Sequence, residues 1–206
     1  MNKKDYYLVT LIGFLVGFLV LLPLASAGVK ITIFIVLVSV MGFSLFAPLA
    51  LWWLKILSRF FPVLEQIGKF AAVGVLNTVL DFGVLNLLIL ATNIASGWSF
   101  SLFKAISFLV ASANSYFWNK FWTFQSRTPA NFKEYTRFFV FSLLGALINV
   151  GVASFLVNVV GPIGNFNFKI WANISALIAV LISLIWNFLT YRYIVFKKSD
   201  TSDYPQ

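Results

Sequence analysis

The chain has 206 residues, 61% hydrophobic and 10% charged, and fifteen Lys and Arg against six Asp and Glu give a formal charge of +9. With a mean hydropathy of +0.94, this composition excludes a water-soluble globule and requires the basic residues to sit outside lipid. The lack of Cys and His excludes disulfides, thiol chemistry, zinc sites and histidine catalysis, and basic residues scattered between apolar runs make no stripe for nucleic acid.

A bilayer core about 30 Å thick needs roughly 20 apolar helical residues. Six stretches meet that length: 7–27, 31–54, 70–92, 102–122, 138–159 and 170–191. None alternates polar and apolar as barrel strands do, so the predicted class is all-α, a polytopic membrane protein. The first run follows Lys3 and Lys4 and ends at Leu-Ala-Ser-Ala before Gly28, which also resembles a signal peptide; an uncleaved first helix is the expectation. Residues 55–69 mix Phe, Leu and Ile with Lys, Arg and Glu, and are predicted to lie along the cytoplasmic interface with a break at Pro62. The expected divisions are a two-helix extension (1–54), an interfacial linker (55–66), a four-helix core (67–198) and a cytoplasmic tail (199–206).

With the N-terminus in the cytoplasm, twelve of the fifteen basic residues, Lys3 through Lys197 and Lys198, fall on the cytoplasmic side, and only Lys30, Lys104 and Lys169 on the other. The positive-inside rule then puts both termini in the cytoplasm. Trp52, Trp53, Trp118 and Trp122 near cytoplasmic ends, with Trp98 and Trp171 near the opposite ends, are expected to form interfacial belts.

At an offset of 68 the run KFAAVGVLNTVLDFGV from Lys69 aligns with RFFVFSLLGALINVGV from Arg137, and at 72 SYFWNKFWTF from Ser115 aligns with NFLTYRYIVF from Asn187. The core therefore reads as two parallel two-helix repeats, 69–124 and 137–196, related by an axis along the membrane normal. Asp81 is the sole acidic residue expected in the hydrocarbon core, about 18 Å from the cytoplasmic end of its helix. A charge there costs about 3 kcal/mol. Lys104, about 24 Å up the next helix by the same rise, is the expected partner. Gly74, Asn77 and Asp81 share one helical stripe, matched by Ser142, Gly145 and Asn149. Ser107, Ala111 and Ser115, with Ser175, Ser183 and Asn187, extend the pattern into a polar seam, although small residues on one face also serve close packing. Lys69, Lys120, Arg137 and Arg192 lie at headgroup depth, where they can bind phosphate or simply anchor the helix ends.

GVLNTVLDFGV (Gly74 to Val84), NKFWTF (Asn119 to Phe124) and WANISALIAVLISLIWNFLTYRYIVF near the C-terminus resemble the GtrA-like family of small membrane proteins. The resemblance covers about residues 67–198. Where that family has Asn-Arg-Arg, this chain has Asn119-Lys120-Phe121 and Tyr191-Arg192-Tyr193, keeping one basic residue per repeat. The resemblance implies a prokaryotic plasma-membrane flippase that moves a polyprenyl-phosphate monosaccharide to the outer leaflet for surface polysaccharide glycosylation, with a membrane-associated glycosyltransferase as partner. Its substrate contacts would come from Lys120, Arg192, Asp81, Lys104, Asn77, Asn149, Asn187, Lys69 and Arg137. The alternative is a non-transporting scaffold that recruits such a transferase. A single intramembrane Asp, with Glu65 and Glu134 near the surface, is too little for sugar-nucleotide chemistry, so no catalytic residue, metal or cofactor is expected. The chain carries no GxxxxGK[ST] loop, which leaves downhill exchange or ion coupling to set direction. A narrow four-helix core is compatible with a homo-oligomer.

Overall fold

The computed structural model describes residues 2–26, 28–94, 96–164 and 168–196, without the side chains of 168–170, 172 and 173. Lys197, Lys198, the tail 199–206 and the side chain of Lys169 thus lie outside the described residues. Among those described, regular structure is all helical: α1 (Lys3–Leu19), α2 (Leu21–Ser26), α3 (Ile33–Leu57), α4 (Val63–Thr92), α5 (Gly97–Trp118), α6 (Phe132–Phe155) and α7 (Phe168–Thr190).

Local chemistry sets the helix ends. Asn2 and Asp5 close a capping box on α1, the Asn2 side chain accepting from Asp5 N at 3.1 Å and Asp5 from Asn2 N at 2.9 Å. Thr32 and Asn131 cap α3 and α6 by accepting from Ile35 N and Glu134 N. Between α3 and α4 only Ser58–Pro62 leaves the helix. Residues 63–69, expected along the interface, are the first turns of α4, because proline is tolerated at a helix start and Pro62 immediately precedes it. Asn93 ends α4 in the left-handed region at φ 56°.

Among the described residues, five helical segments are long and apolar enough to cross a membrane: Lys3–Ser26, Ile33–Leu57, Val63–Thr92, Phe132–Val160 and Ile174–Val195. The sixth expected span, 102–122, corresponds to α5 and its extension. It stands outside that set because Ser101, Lys104, Ser107, Ser112, Asn114 and Ser115 dilute its apolar character.

Two compact units divide the chain, one up to Gln125 and one from Ser126. In the first, α1 lies along α3, both pack on α4, and α4 pairs with α5. Val9, Ile12, Val16, Leu51, Val73, Leu76 and Trp122 form one buried cluster, so the first helices share their core with the later hairpin. In the second unit α6 packs on α7. Close approach of α1 to α3 depends on glycine: a Cβ at Gly13 would run into the Phe43 carbonyl, and one at Gly17 into the backbone of Ser39 and Val40. Small residues at a crossing replace the hydrophobic effect as the source of helix attraction in lipid. Gly13→Ala is accordingly expected to destabilise the first unit by about 1 to 3 kcal/mol. Gly42→Ala, with nothing within 4 Å of its Cβ, should be neutral or gain up to about 1 kcal/mol. Thermal unfolding of both variants in one detergent compares them; equal midpoints would rule out a tight crossing at Gly13.

Candidate functional site

The α4–α5 hairpin places a charged cluster in an apolar setting. Asp81 on α4 is ion-paired with Lys104 on α5, and its other oxygen accepts from Ser107 Oγ at 2.6 Å. Ser107 is fully buried, and the Lys104 carbonyl, 3.0 Å from its Oγ, is the alternative acceptor for its single proton. Lys104 remains 44% exposed on its side chain against 19% for Asp81, and its ammonium lies 5.7 Å from the Phe82 ring centroid. The carboxylate is thus held inside while the ammonium reaches the hairpin surface. The expected partnership is present, with Ser107 as a third member.

Further along α5, polar groups are buried with incomplete hydrogen bonding. Asn119 is 1% exposed. Its amide donates to Ser115 O at 2.9 Å and Ser115 Oγ at 3.2 Å, yet its Oδ1 has no partner, nor do Ser112 Oγ, Thr123 Oγ1 and, on α4, Asn77 Oδ1. Such groups cost about 1 to 3 kcal/mol each when nothing meets them. Ser112, Ser115, Asn119 and Thr123 recur at three- and four-residue intervals, one face of the helix.

Both hairpins finish in a five-residue π-helical turn, Asn119–Thr123 after α5 and Tyr191–Val195 after α7. These positions match at the offset of 72. Each turn is closed by a backbone bond of 2.8 Å, from Phe124 N to Asn119 O and from Phe196 N to Tyr191 O. The rings Phe70 and Phe124 lie 6.3 Å apart, and their counterparts Phe138 and Phe196 6.0 Å. Another π-helical turn, Leu156–Val160, follows α6. Turns of this kind are rare and frequent at functional sites. Lys120 and Arg192 occupy equivalent places in the paired turns, but their settings differ. Lys120 is fully buried, its ammonium 6.0 Å from the Tyr116 centroid and 5.9 Å from that of Phe121. Arg192 is half-buried and stacks near Phe188 and Tyr193 at 5.9 and 5.3 Å. Lys120 therefore does not stand at the surface as a helix-end anchor would.

Lys69 is likewise internal. Its ammonium sits 2.8 Å from Asp5 Oδ1 and 3.4 Å from Glu65 Oε1, and Asp5 also accepts from Trp122 Nε1 at 2.9 Å. Asp5, at 5% exposure, is the deeper-buried carboxylate of the two, a role sequence reasoning missed. Its only signal was a lone acid three residues past an Asn at the head of an apolar helix, which capping alone explains. Trp122 and Trp171, expected in interfacial belts, are each 5% exposed. Both are buried because each indole finds an acceptor, Asp5 for Trp122 and the Leu156 carbonyl at 2.8 Å for Trp171. Trp52, Trp53 and Trp98 are exposed.

In the second unit Asn149 Nδ2 donates to Ser183 Oγ at 3.4 Å. Ser142 hydrogen-bonds Tyr191, and Gly145 leaves room for Asn187, whose Oδ1 a Cβ there would strike. That Oδ1 and Ser175 Oγ are buried without partners. Arg137 is exposed and donates to the Ile194 carbonyl at 3.5 Å. Each hairpin thus carries its own set of buried amide and hydroxyl groups.

Residues 69–196 match the family model described as GtrA/DPMS, transmembrane domain. Over 88 residues the chain is 38% identical to an uncharacterized membrane protein, YngA, of Bacillus subtilis (strain 168), an alignment covering 41% of this chain and 56% of that protein. Over 103 residues it is 30% identical to GtcA, a cell wall teichoic acid glycosylation protein of Listeria monocytogenes serovar 1/2a (strain ATCC BAA-679 / EGD-e), covering 48% of this chain and 66% of that one. The chain therefore spans less than two thirds of either of these curated relatives. No solved structure matches it.

Proposed function

The chain belongs to the GtrA/DPMS transmembrane family, and on that premise we propose that it handles a lipid-linked sugar for glycosylation, as a flippase that carries a polyprenyl-phosphate monosaccharide from the cytoplasmic to the outer leaflet. The observation that carries this reading is the set of unpartnered buried acceptors and hydroxyls at Asn77, Ser112, Asn119 and Thr123, on the same hairpin as the Asp81, Lys104 and Ser107 cluster. Sugar hydroxyls and phosphate dragged through hydrocarbon would each lose hydrogen bonds at a cost of several kcal/mol. A hairpin with spare acceptors offers replacements while the isoprenoid tail stays in lipid.

In this scheme each hairpin offers the phosphate its own cations by charge-assisted bonds: Lys120 in the first, and in the second Arg137 and Arg192, which reach the surface of their hairpin. In the first hairpin Asn77 meets the sugar, with Asp81 and Lys104 at mid-depth, and in the second Asn149 and Asn187 play the same part. Lys69, neutralised by Asp5 and Glu65, holds the fold around the path. We place both termini in the cytoplasm of a prokaryotic cell, with α5 crossing beside α4 as the sixth span. The partner is a membrane-bound glycosyltransferase, and the chemistry of transfer belongs to it. The relative whose name records teichoic acid glycosylation supports the same process here.

Purified protein in liposomes, given a fluorescent polyprenyl-phosphate sugar and an outer-leaflet quencher, should speed leaflet exchange at least about tenfold over protein-free vesicles, a barrier change of about 1.4 kcal/mol. A protein that binds a transferase but leaves exchange at the lipid rate would instead be a scaffold.

A further inference from the structure

Beside their shared core, α1, α3 and α4 leave a half-open groove of about 210 Å³ lined only by apolar residues. Its walls run from Val9 to Val16 on α1, Phe43 to Leu54 on α3 and Gly68 to Val75 on α4. The α3 wall alone is about 16 Å long at 1.5 Å per residue. An apolar cavity of about 150 Å³ already stays dry and takes up a hydrocarbon, and a groove of this size left without a hydrocarbon in it would forfeit contacts along its walls. The helices alternate in direction, so Val9, Leu54 and Gly68 mark one end of the groove, the end where α3 turns into α4.

We propose that this groove holds the isoprene units next to the phosphate of the lipid carrier, with the phosphate at Lys55 and Arg59; the inference rests on the lipid-linked-sugar reading above. Three features select that occupant. The volume, set against the six-carbon ring that about 150 Å³ admits, suits one or two isoprene units. The walls interleave Gly13, Ala47, Ala50 and Ala72 with branched Val16 and Leu51, leaving notches that methyl branches fill and a straight acyl chain would not. The mouth is basic: Lys55 follows Leu54, lies 5.9 Å from the Tyr6 ring centroid and is exposed, as is Arg59 one turn on. The carboxylates of Asp5 and Glu65 pair with Lys69 instead. Two of the three walls precede residue 69, where the family match begins, so the site is an addition made by α1 and α3.

Photolabelling of the full chain in liposomes tests it, with a polyprenyl phosphate carrying a diazirine on its isoprenoid chain and a phosphatidylglycerol carrying one on an acyl chain. The isoprenoid probe should label peptides spanning residues 9–16 and 43–54 at least about fivefold more than the phospholipid probe, and Ala47→Phe should remove that excess. Because an overfilled groove can misfold, Lys55→Gln with Arg59→Gln provides a second arm that leaves the walls intact. It should weaken labelling by the phosphate probe but not by the matching polyprenol. Equal labelling by both lipids, labelling confined to other helices, or indifference to both sets of changes would overturn the proposal. Labelling is read without leaflet exchange. A chain that labels as expected but moves no lipid refutes transport alone, and one that moves lipid with α1 and α3 unlabelled refutes the tail site alone.

Discussion

Asp5→Ala is expected to destabilise the first unit by about 3 to 5 kcal/mol, the cost of stranding one partner of a buried ion pair. The side chain serves three donors at once: Lys69 Nζ at 2.8 Å, Trp122 Nε1 and Asn2 N at 2.9 Å each. With it gone, an ammonium whose side chain is 4% exposed keeps only Glu65 at 3.4 Å, and the indole loses its acceptor. Loss of the cap itself explains only about 1 kcal/mol. Adding Lys69→Met to Asp5→Ala should recover a large part of the loss, because an apolar replacement of a whole buried pair is often neutral. Unfolding midpoints of the four chains in one detergent measure the coupling. Were the single and double variants equally unstable, the pair would not be what ties α1 to α4 and to the turn after α5.

Asp81→Asn is expected to slow leaflet exchange by about 10- to 150-fold while leaving the protein folded. That range corresponds to losing one charge-assisted hydrogen bond of about 1.5 to 3 kcal/mol at 1.36 kcal/mol per tenfold in rate. The fold should survive because asparagine can still accept from Ser107, and because Lys104 is 44% exposed and can turn its ammonium toward water. The second unit carries Asn149 at the matching position, bonded to Ser183, so an amide there is compatible with a packed hairpin. Exchange at the wild-type rate would remove Asp81 from the path. A fall in exchange that merely tracks a fall in unfolding midpoint would make the pair structural.

Much of this was readable from residue order. Apolar run length located the helices, Pro62 and Asn93 fell at helix ends, and counting residues along two helices brought Asp81 level with Lys104. The match between Asn119–Thr123 and Tyr191–Val195 was visible as an offset of 72, although nothing in either segment announces a π-helical turn, which depends on how the chain end packs. By sequence, Lys120 and Lys69 are expected at headgroup depth, as phosphate contacts or as anchors of helix ends. Both are internal, and in Lys69 the cause is an acid 64 positions earlier in the chain.

The order of residues determined by itself that the chain is helical, apolar and basic at its helix ends, and which polar residues share a face, since these follow from hydropathy and a period of 3.6 residues. Tertiary structure alone decided that Asp5 reaches Lys69 and Trp122, that asparagine and hydroxyl groups on α5 and in the turn after it stay unpartnered, and that α1, α3 and α4 leave an apolar groove. Periodicity fixes where a side chain points around its own axis, but the rotation and sliding of one helix against another are set by side-chain shapes meeting from distant parts of the chain.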